Sequence, residues 1–424
     1  GRATKTPKTC VSARRADRFA ERTSSMEYSF ADSVKSLNPS AIREILKYAA
    51  DPEVVSLSAG NPSPEAFPTE KIAKISAGIR AERPIEVLQY STTEGYQPLR
   101  DRLTAYLKEK HSIGREFDNI LITSGAQQVM ELAAKVLCNP GDAAVCEAPS
   151  FIGSLNSFRS LGVELVGVPI EDDGMNMEAL EQALKANNRV KFIYTIPNFQ
   201  NPSGITMSME KRRRMYELAK SFGVIIVEDN PYGDLRFEGE DVPSIKSLDE
   251  DGLVVYSGSF SKVLAPGIRV GYAVAPKPLL QKMVVCKQGE DVHTAMWPQI
   301  ICERFMADAG FEAHLESLRS LYRKKARLML SLIEEHLVPA GITYAPTQGG
   351  LFVWCRLPDG VDMPSFCKRA VIDYKVAIVP GNAFLVDENE PCQNFRLNYS
   401  TPTDEAMRKG VQRLGALARE VIKV

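Results

Sequence analysis

Short apolar runs, several rich in β-branched residues, recur at Ile120 to Thr123, Ala143 to Glu147, Lys191 to Ile196, Val224 to Glu228, Leu253 to Tyr256 and Val270 to Ala275. Amphipathic helical spacings lie between several of them. Strands that alternate with helices at this spacing are joined by crossovers, which makes the sheet mostly parallel and covers both of its faces. The expected fold class is therefore α/β. Ligands of such sheets gather at the carboxyl ends of the strands, so the residues that follow each run are the ones to read.

After Leu253 to Tyr256 comes Ser257-Gly-Ser-Phe-Ser-Lys262, and seven residues on comes Arg269. A lysine amine can bond covalently to a carbonyl carbon, and burial or a neighbouring cation lowers its pKa enough to make it nucleophilic. Ser259, Ser261 and Arg269 add donors suited to a phosphate. After Ile120 to Thr123, the turn Ser124-Gly125-Ala126-Gln127 runs into a helix on Val129, Leu132, Ala133 and Val136. The N–H groups and dipole of a helix N-terminus suit a dianion. Phe151 follows the next run, where an aromatic could cover a flat ring, and Asn201 lies in a turn bounded by Pro and Gly. Asp229 ends a β-branched run, where a carboxylate is costly to bury without a cation such as a protonated heterocyclic nitrogen. Tyr232 and Asn201 could then hydrogen-bond a phenolic oxygen on the same ring. Each residue alone also suits a structural role, as a solvated lysine, a ligand-free turn or a core tyrosine. Their joint complementarity to one phosphorylated aldehyde is what points to a site.

The chain has 424 residues and a formal net charge of -1, which implies two domains and argues against a nucleic-acid partner. No apolar run approaches a membrane span. The eight cysteines form no CxxC pair, so small buried thiols in a reducing, cytoplasmic setting are expected rather than a disulfide framework. The four histidines show no metal-ligand spacing, and no metal site is expected. Residues 1–25 are basic and lack apolar periodicity, so disorder is expected there, as an expression remnant or as an Arg- and Ser-rich transit peptide. A helix is predicted from Ser40 as N-cap, with Ile42, Ile45, Leu46 and Ala49 on one face and Arg43 in its first turn. A cation there opposes the helix dipole unless an anion meets it. A short strand from Val54 ends in the turn Gly60-Asn61-Pro62, and Tyr90 lies in a polar loop before a helix from Pro98 to Lys108. Phe352 and Trp354, then Arg396 within Asn394 to Ser400, read as strands of a second sheet. The last helix carries Met407, Val411, Leu414, Ala418 and Val421 on one face.

The motifs Asn201-Pro-Ser-Gly204, Asp229-Asn-Pro-Tyr232 and Ser259-Phe-Ser-Lys262 followed by Ala265-Pro-Gly-Ile-Arg269 resemble those of the pyridoxal-phosphate aminotransferases of fold type I. The likeness is to the branch of kynurenine, 2-aminoadipate and aromatic aminotransferases, from about residue 30 onward. It implies a large domain with a mostly parallel, mixed seven-stranded sheet between helices and a smaller α+β domain. The boundaries would be 1–25 for the extension, 26–90 for an N-terminal arm and part of the small domain, 91–297 for the large domain and 298–424 for the remainder of the small one. It also implies that Lys262 carries the cofactor and shuttles the proton, that Asp229 meets the ring nitrogen, and that Asn201 and Tyr232 meet the ring oxygen. Ala126, Gln127, Ser259, Ser261 and Arg269 would hold the phosphate, and Phe151 would stack on the ring in place of the tyrosine of many relatives. Arg396 would clamp the substrate α-carboxylate, with Gly60 and Asn201 nearby, and Arg43 would meet the far carboxylate of dicarboxylic substrates. Tyr90 would reach the phosphate of a partner subunit in a homodimer with shared sites. The activity implied is transfer of an amino group from 2-aminoadipate, an aromatic or a large aliphatic amino acid to 2-oxoglutarate. The same anchor would also serve a lyase or decarboxylase, or a non-catalytic sensor domain of the kind found in transcription regulators.

Overall fold

The computed structural model describes residues 28–35, 37, 47 and 51–422. The expected extension 1–25, the helix expected from Ser40, and Arg43 within it lie outside the described residues. The chain divides into two units, Gly1–Asn38 and Pro39–Val424. In the first, Asp32–Lys35 forms one helical turn closed by a Lys35–Asp32 ion pair at 2.6 Å.

The second unit holds a sheet of eight strands in the order β2-β9-β8-β7-β6-β3-β4-β5. They are β2 (Asp118–Thr123), β3 (Ala143–Ala148), β4 (Glu164–Glu171), β5 (Gly174–Met175), β6 (Val190–Thr195), β7 (Ile225–Asp229), β8 (Val254–Ser259) and β9 (Gly271–Pro276). From β8 through β7, β6 and β3 to β4 every pairing is parallel, while β9 runs antiparallel to both β8 and β2. The seven expected strands are present, and β5 adds a two-residue edge that folds back on β4. The six runs read from the sequence match β2, β3, β6, β7, β8 and β9 to within a few residues. β4 escaped that reading because most of it is not buried and Pro169 interrupts it.

Side chains alternate strictly across the buried strands, as a period of two requires. Val145, Ile193, Ile226 and Val254 pack on one face with Leu180 and Leu184 of α5 (Met177–Ala186) and Met215 and Leu218 of α6 (Met209–Phe222). Cys146, Tyr194, Val227 and Val255 pack on the other, with Val129 and Leu132 of α3 (Ala126–Leu137) and Leu155 and Phe158 of α4 (Ile152–Ser160). Helix α6 starts where the Ser208 side chain accepts from Lys211 N and stops at Gly223, whose φ is 65°. The remaining helices are α1 (Thr69–Glu82), α2 (Gln97–His111), α7 (Lys277–Glu290), α8 (Met296–Ala307), α9 (Phe311–His336), α10 (Met363–Ile372) and α11 (Asp404–Val421).

A second antiparallel sheet has four strands, β10 (Thr343–Ala345), β11 (Phe352–Arg356), β13 (Val379–Pro380) and β14 (Asn394–Asn398), in the order β10-β11-β14-β13, with β11 and β14 as its centre. The strand expected after Val54 is β1 (Val55–Ser56), paired in parallel with β12 (Val376–Ala377). On α11, Met407, Val411, Leu414 and Ala418 are buried at helical spacing, and the Thr403 side chain caps its start. This helix packs against α9 and β1.

Candidate active site

The strand order reverses between β3 and β6, since the chain leaves β3 toward β4 on one side and returns to β6 on the other. Ligand crevices form at such points. A cavity of about 310 Å³ opens there, lined by Gly60, Ala126, Gln127, Phe151, Asn201, Asp229, Tyr232, Ser259, Ser261, Lys262, Arg269 and Arg396. Residues from separate strand ends and both sheets therefore converge as expected. Two places do not follow. Tyr90 is 80% exposed and absent from the lining, with its ring edge on His293 at 5.9 Å. Arg43 is outside the described residues.

Lys262 lies three residues past β8 and its Nζ donates to Gly60 O at 3.1 Å. Burial, then the charges of Arg396 and Arg269, lower its pKa to about 8. About a tenth of the amine is therefore uncharged at pH 7. Asp229 closes β7 and is buried. Its Oδ2 accepts from Tyr194 Oη at 3.0 Å, and its Oδ1 has no partner. Burial pushes this carboxyl up to about 7 against the Tyr194 hydrogen bond and the nearby Ser257 hydroxyl, which itself has no hydrogen-bond partner. An orphaned oxygen of a buried acid is costly, and a protonated ring nitrogen would satisfy it.

Arg396 sits on β14 opposite Trp354 and Val379. Its Nη1 donates to Asn201 Oδ1 and its Nη2 to Ser58 O, each at 2.8 Å, while its Nε has no partner. The guanidinium lies 4.2 Å from the Phe352 ring centre and 5.0 Å from that of Phe384. Burial draws its pKa down to about 10, so an arriving carboxylate is the favourable partner. Tyr232 is buried, which raises its phenol pKa, with the charge of Arg396 acting against that shift.

The anion seat follows from two glycines. A Cβ on Gly125, where φ is +85°, would fall 2.1 Å from Arg269 Nη2, and one on Gly271 would fall 2.7 Å from Ala126 N. Thr123 of β2 and Ser259 of β8 both pair with Gly271, which sets the start of α3 beside the Ser259 turn. The first N–H groups of α3 have no helical acceptor, and Arg269 stands at the rim, donating to Pro266 O and Ser124 O. The Gln127 side chain turns instead to α4, donating to Gly153 O and Ser157 Oγ. Ser259 Oγ accepts from Ser261 N at 3.0 Å. An anion seat, an amine, an orphaned carboxylate oxygen and Phe151 thus fit a phosphorylated pyridine aldehyde.

Sequence reading missed Tyr194 and Ser154, which support Asp229, and the buried set behind Asn201. There Glu147 accepts from Thr195, Ile196 N and Gln200, and Gln200 also donates to Pro149 O. A tyrosine inside a buried strand reads as core, although its hydroxyl always needs a partner. A wider cleft of about 800 Å³ near Glu171, Tyr344 and Arg356 gathers no such nucleophile. Among the described residues no group of His, Cys, Asp and Glu could hold a metal, and no helix is long and apolar enough to cross a membrane.

Residues 52–414 match the family model for aminotransferase class I and II. The chain is 38% identical to aromatic-amino-acid aminotransferase 1 of Thermococcus litoralis over 93% of its own length and 95% of the relative's. It is 39% identical to the 2-aminoadipate transaminase of Thermus thermophilus, covering 89% of the chain and 94% of that protein. A kynurenine aminotransferase of Pyrococcus horikoshii, solved in complex with PMP and with KYN and KYA described as substrates and products, superposes with a TM-score of 0.89. Its identity is 36%, over 96% of this chain and 99% of that one. Matches of this extent make the chain a member of the class I and II aminotransferases.

Proposed function

We propose that this pyridoxal-phosphate-dependent aminotransferase moves the amino group of 2-aminoadipate, an aromatic or a large aliphatic amino acid to 2-oxoglutarate, giving the corresponding 2-oxo acid and glutamate. The observation that carries the reading is convergence: the Lys262 amine, the orphaned Oδ1 of Asp229 and the orphaned Nε of Arg396 border one cavity. Pyridoxal phosphate supplies an aldehyde carbon and an electron-withdrawing ring. Lys262 would hold that group covalently through its amine, and the same amine would take and return the proton of the substrate carbon. Asp229 would keep a positive charge on the ring nitrogen, and Asn201 and Tyr232 would hold the ring oxygen. The α3 N-terminus, Ser259, Ser261 and Arg269 would hold the phosphate, and Phe151 would cover the ring. Arg396, buried beside the Phe352 and Phe384 rings, would bind the substrate α-carboxylate.

The substrate range rests on the names of the relatives and on Arg43 as candidate for a side-chain carboxylate. A homodimer is supported by the exposed apolar segment Ile85, Leu88 and Tyr90. A panel of amino donors scored for oxo-acid formation with 2-oxoglutarate tests the reading. Turnover of 2-aminoadipate and of an aromatic donor is expected, and turnover of neither overturns it.

A further inference from the structure

Tyr194 and Asp229 lie on adjacent parallel strands. Tyr194 of β6 pairs with Val227 of β7, two residues before Asp229, so both side chains leave the same face of the sheet. Tyr194 is fully buried, with its Oη 3.0 Å from Asp229 Oδ2 and 2.9 Å from Ser154 Oγ on α4. A phenol has one hydrogen to donate. Ser154 can donate into the Tyr194 oxygen, which leaves the phenolic hydrogen for the carboxylate. With Oδ2 held in this way, Oδ1 is the oxygen without a partner. Burial and the charge of Asp229 hold the Tyr194 pKa well above its ordinary value, so it stays a donor at any working pH. The other ionisable groups acting on the pair are Tyr232 and Glu147.

We propose that Tyr194 is a positioning residue that, through its bond to Oδ2, turns Asp229 Oδ1 toward the ring nitrogen of the cofactor and keeps the shared proton on that nitrogen. A hydrogen bond donated to a carboxylate lowers its affinity for a proton. Between Asp229 and a pyridine nitrogen the proton is then left on the nitrogen, where it strengthens the electron withdrawal that the reaction uses. Ser154 acts one step further out, by fixing which way the phenolic hydrogen points.

The inference rests on reading Asp229 as the partner of the ring nitrogen, and the experiment separates the two. Apoprotein of the wild type and of Tyr194→Phe, Ser154→Ala and Asp229→Asn is titrated with pyridoxal phosphate for affinity. The pH midpoint of the visible absorbance of the bound cofactor is then read. Tyr194→Phe is expected to fold with an apoprotein melting temperature close to wild type and to bind the cofactor about tenfold more weakly, as for loss of a hydrogen bond to a charged group. Its midpoint is expected to rise by about half a pH unit or more, because a ring nitrogen that holds its proton less firmly leaves the nitrogen bonded at the aldehyde carbon more basic. Ser154→Ala is expected to move both quantities the same way by less. If Asp229→Asn shifts the midpoint and Tyr194→Phe leaves midpoint and affinity at wild-type values, the role of Tyr194 is overturned. If Asp229→Asn changes neither, the reading of Asp229 itself fails. Should Tyr194→Phe not fold, Ser154→Ala decides, and a wild-type midpoint in that variant overturns the proposal.

Discussion

Arg396 Nη1 donates to Asn201 Oδ1 at 2.8 Å, tying the central strand of the small antiparallel sheet to the turn after β6 of the large one. The guanidinium is thereby fixed in orientation, with its Nε left without a partner.

Arg396→Ala is expected to lower kcat/KM by roughly ten- to a hundredfold for every amino donor, as for loss of a charge-assisted bond worth about 1.5 to 3 kcal/mol. Arg396→Lys should recover little, because a lysine has no planar fork to serve Asn201, Ser58 O and a carboxylate at once. Half-reaction kinetics with acidic and aromatic donors check this. A loss confined to one donor class would assign Arg396 to side-chain recognition instead.

The lowered pKa of Lys262 predicts a pH profile. The uncharged amine is the form that bonds to a carbonyl, so the rate of cofactor attachment to apoprotein should rise with pH and level off above about 8. Arg269→Gln removes one of the charges that lower it, so its midpoint should lie higher. Stopped-flow absorbance across pH measures both, and a flat profile would mean that the amine does not limit attachment.

Asp229 makes the apoprotein less stable at neutral pH than its fold requires. Its folded pKa of about 7 stands above the ordinary value of 3.8, so the favourable contribution present below the lower value is lost as pH rises through the higher one. The difference amounts to at most about 4 kcal/mol. Apo Asp229→Asn should therefore melt above wild type at pH 8 and lose that advantage near pH 4, while binding the cofactor more weakly. Calorimetry of the two apoproteins at both pH values checks the sign.

Gly271→Ala would drive a Cβ to 2.7 Å from Ala126 N, at the start of α3. Backbone cannot yield as a flexible side chain does, so a stability loss of about 1 to 3 kcal/mol is expected. Cofactor affinity should fall with it, measured by thermal melting and by titration of the apoprotein. Unchanged affinity would separate the α3 N-terminus from the phosphate.

Much of this site was legible because its residues follow strand ends, and buried strands announce themselves by β-branched runs such as Val224 to Val227. The carboxylate of Asp229 stood out against such a run. Tyr194 did not, since inside a strand it is indistinguishable from a core aromatic until its hydroxyl partner is known. β4 was hidden by its exposed residues and Pro169. The Asn201–Arg396 bond spans 195 positions and joins two sheets, a pairing that no local pattern carries. For Tyr90 the sequence motif implied a contact across subunits, and within a single chain its ring is simply exposed.

The proposed role of Lys262 as covalent anchor is tested most directly by chemical reduction of the bound cofactor onto the protein. Borohydride reduction of the holoprotein followed by peptide mass mapping should place the cofactor on Lys262, and Lys262→Ala should neither retain it covalently nor transaminate. An adduct on another lysine, or transamination by Lys262→Ala, would contradict the account.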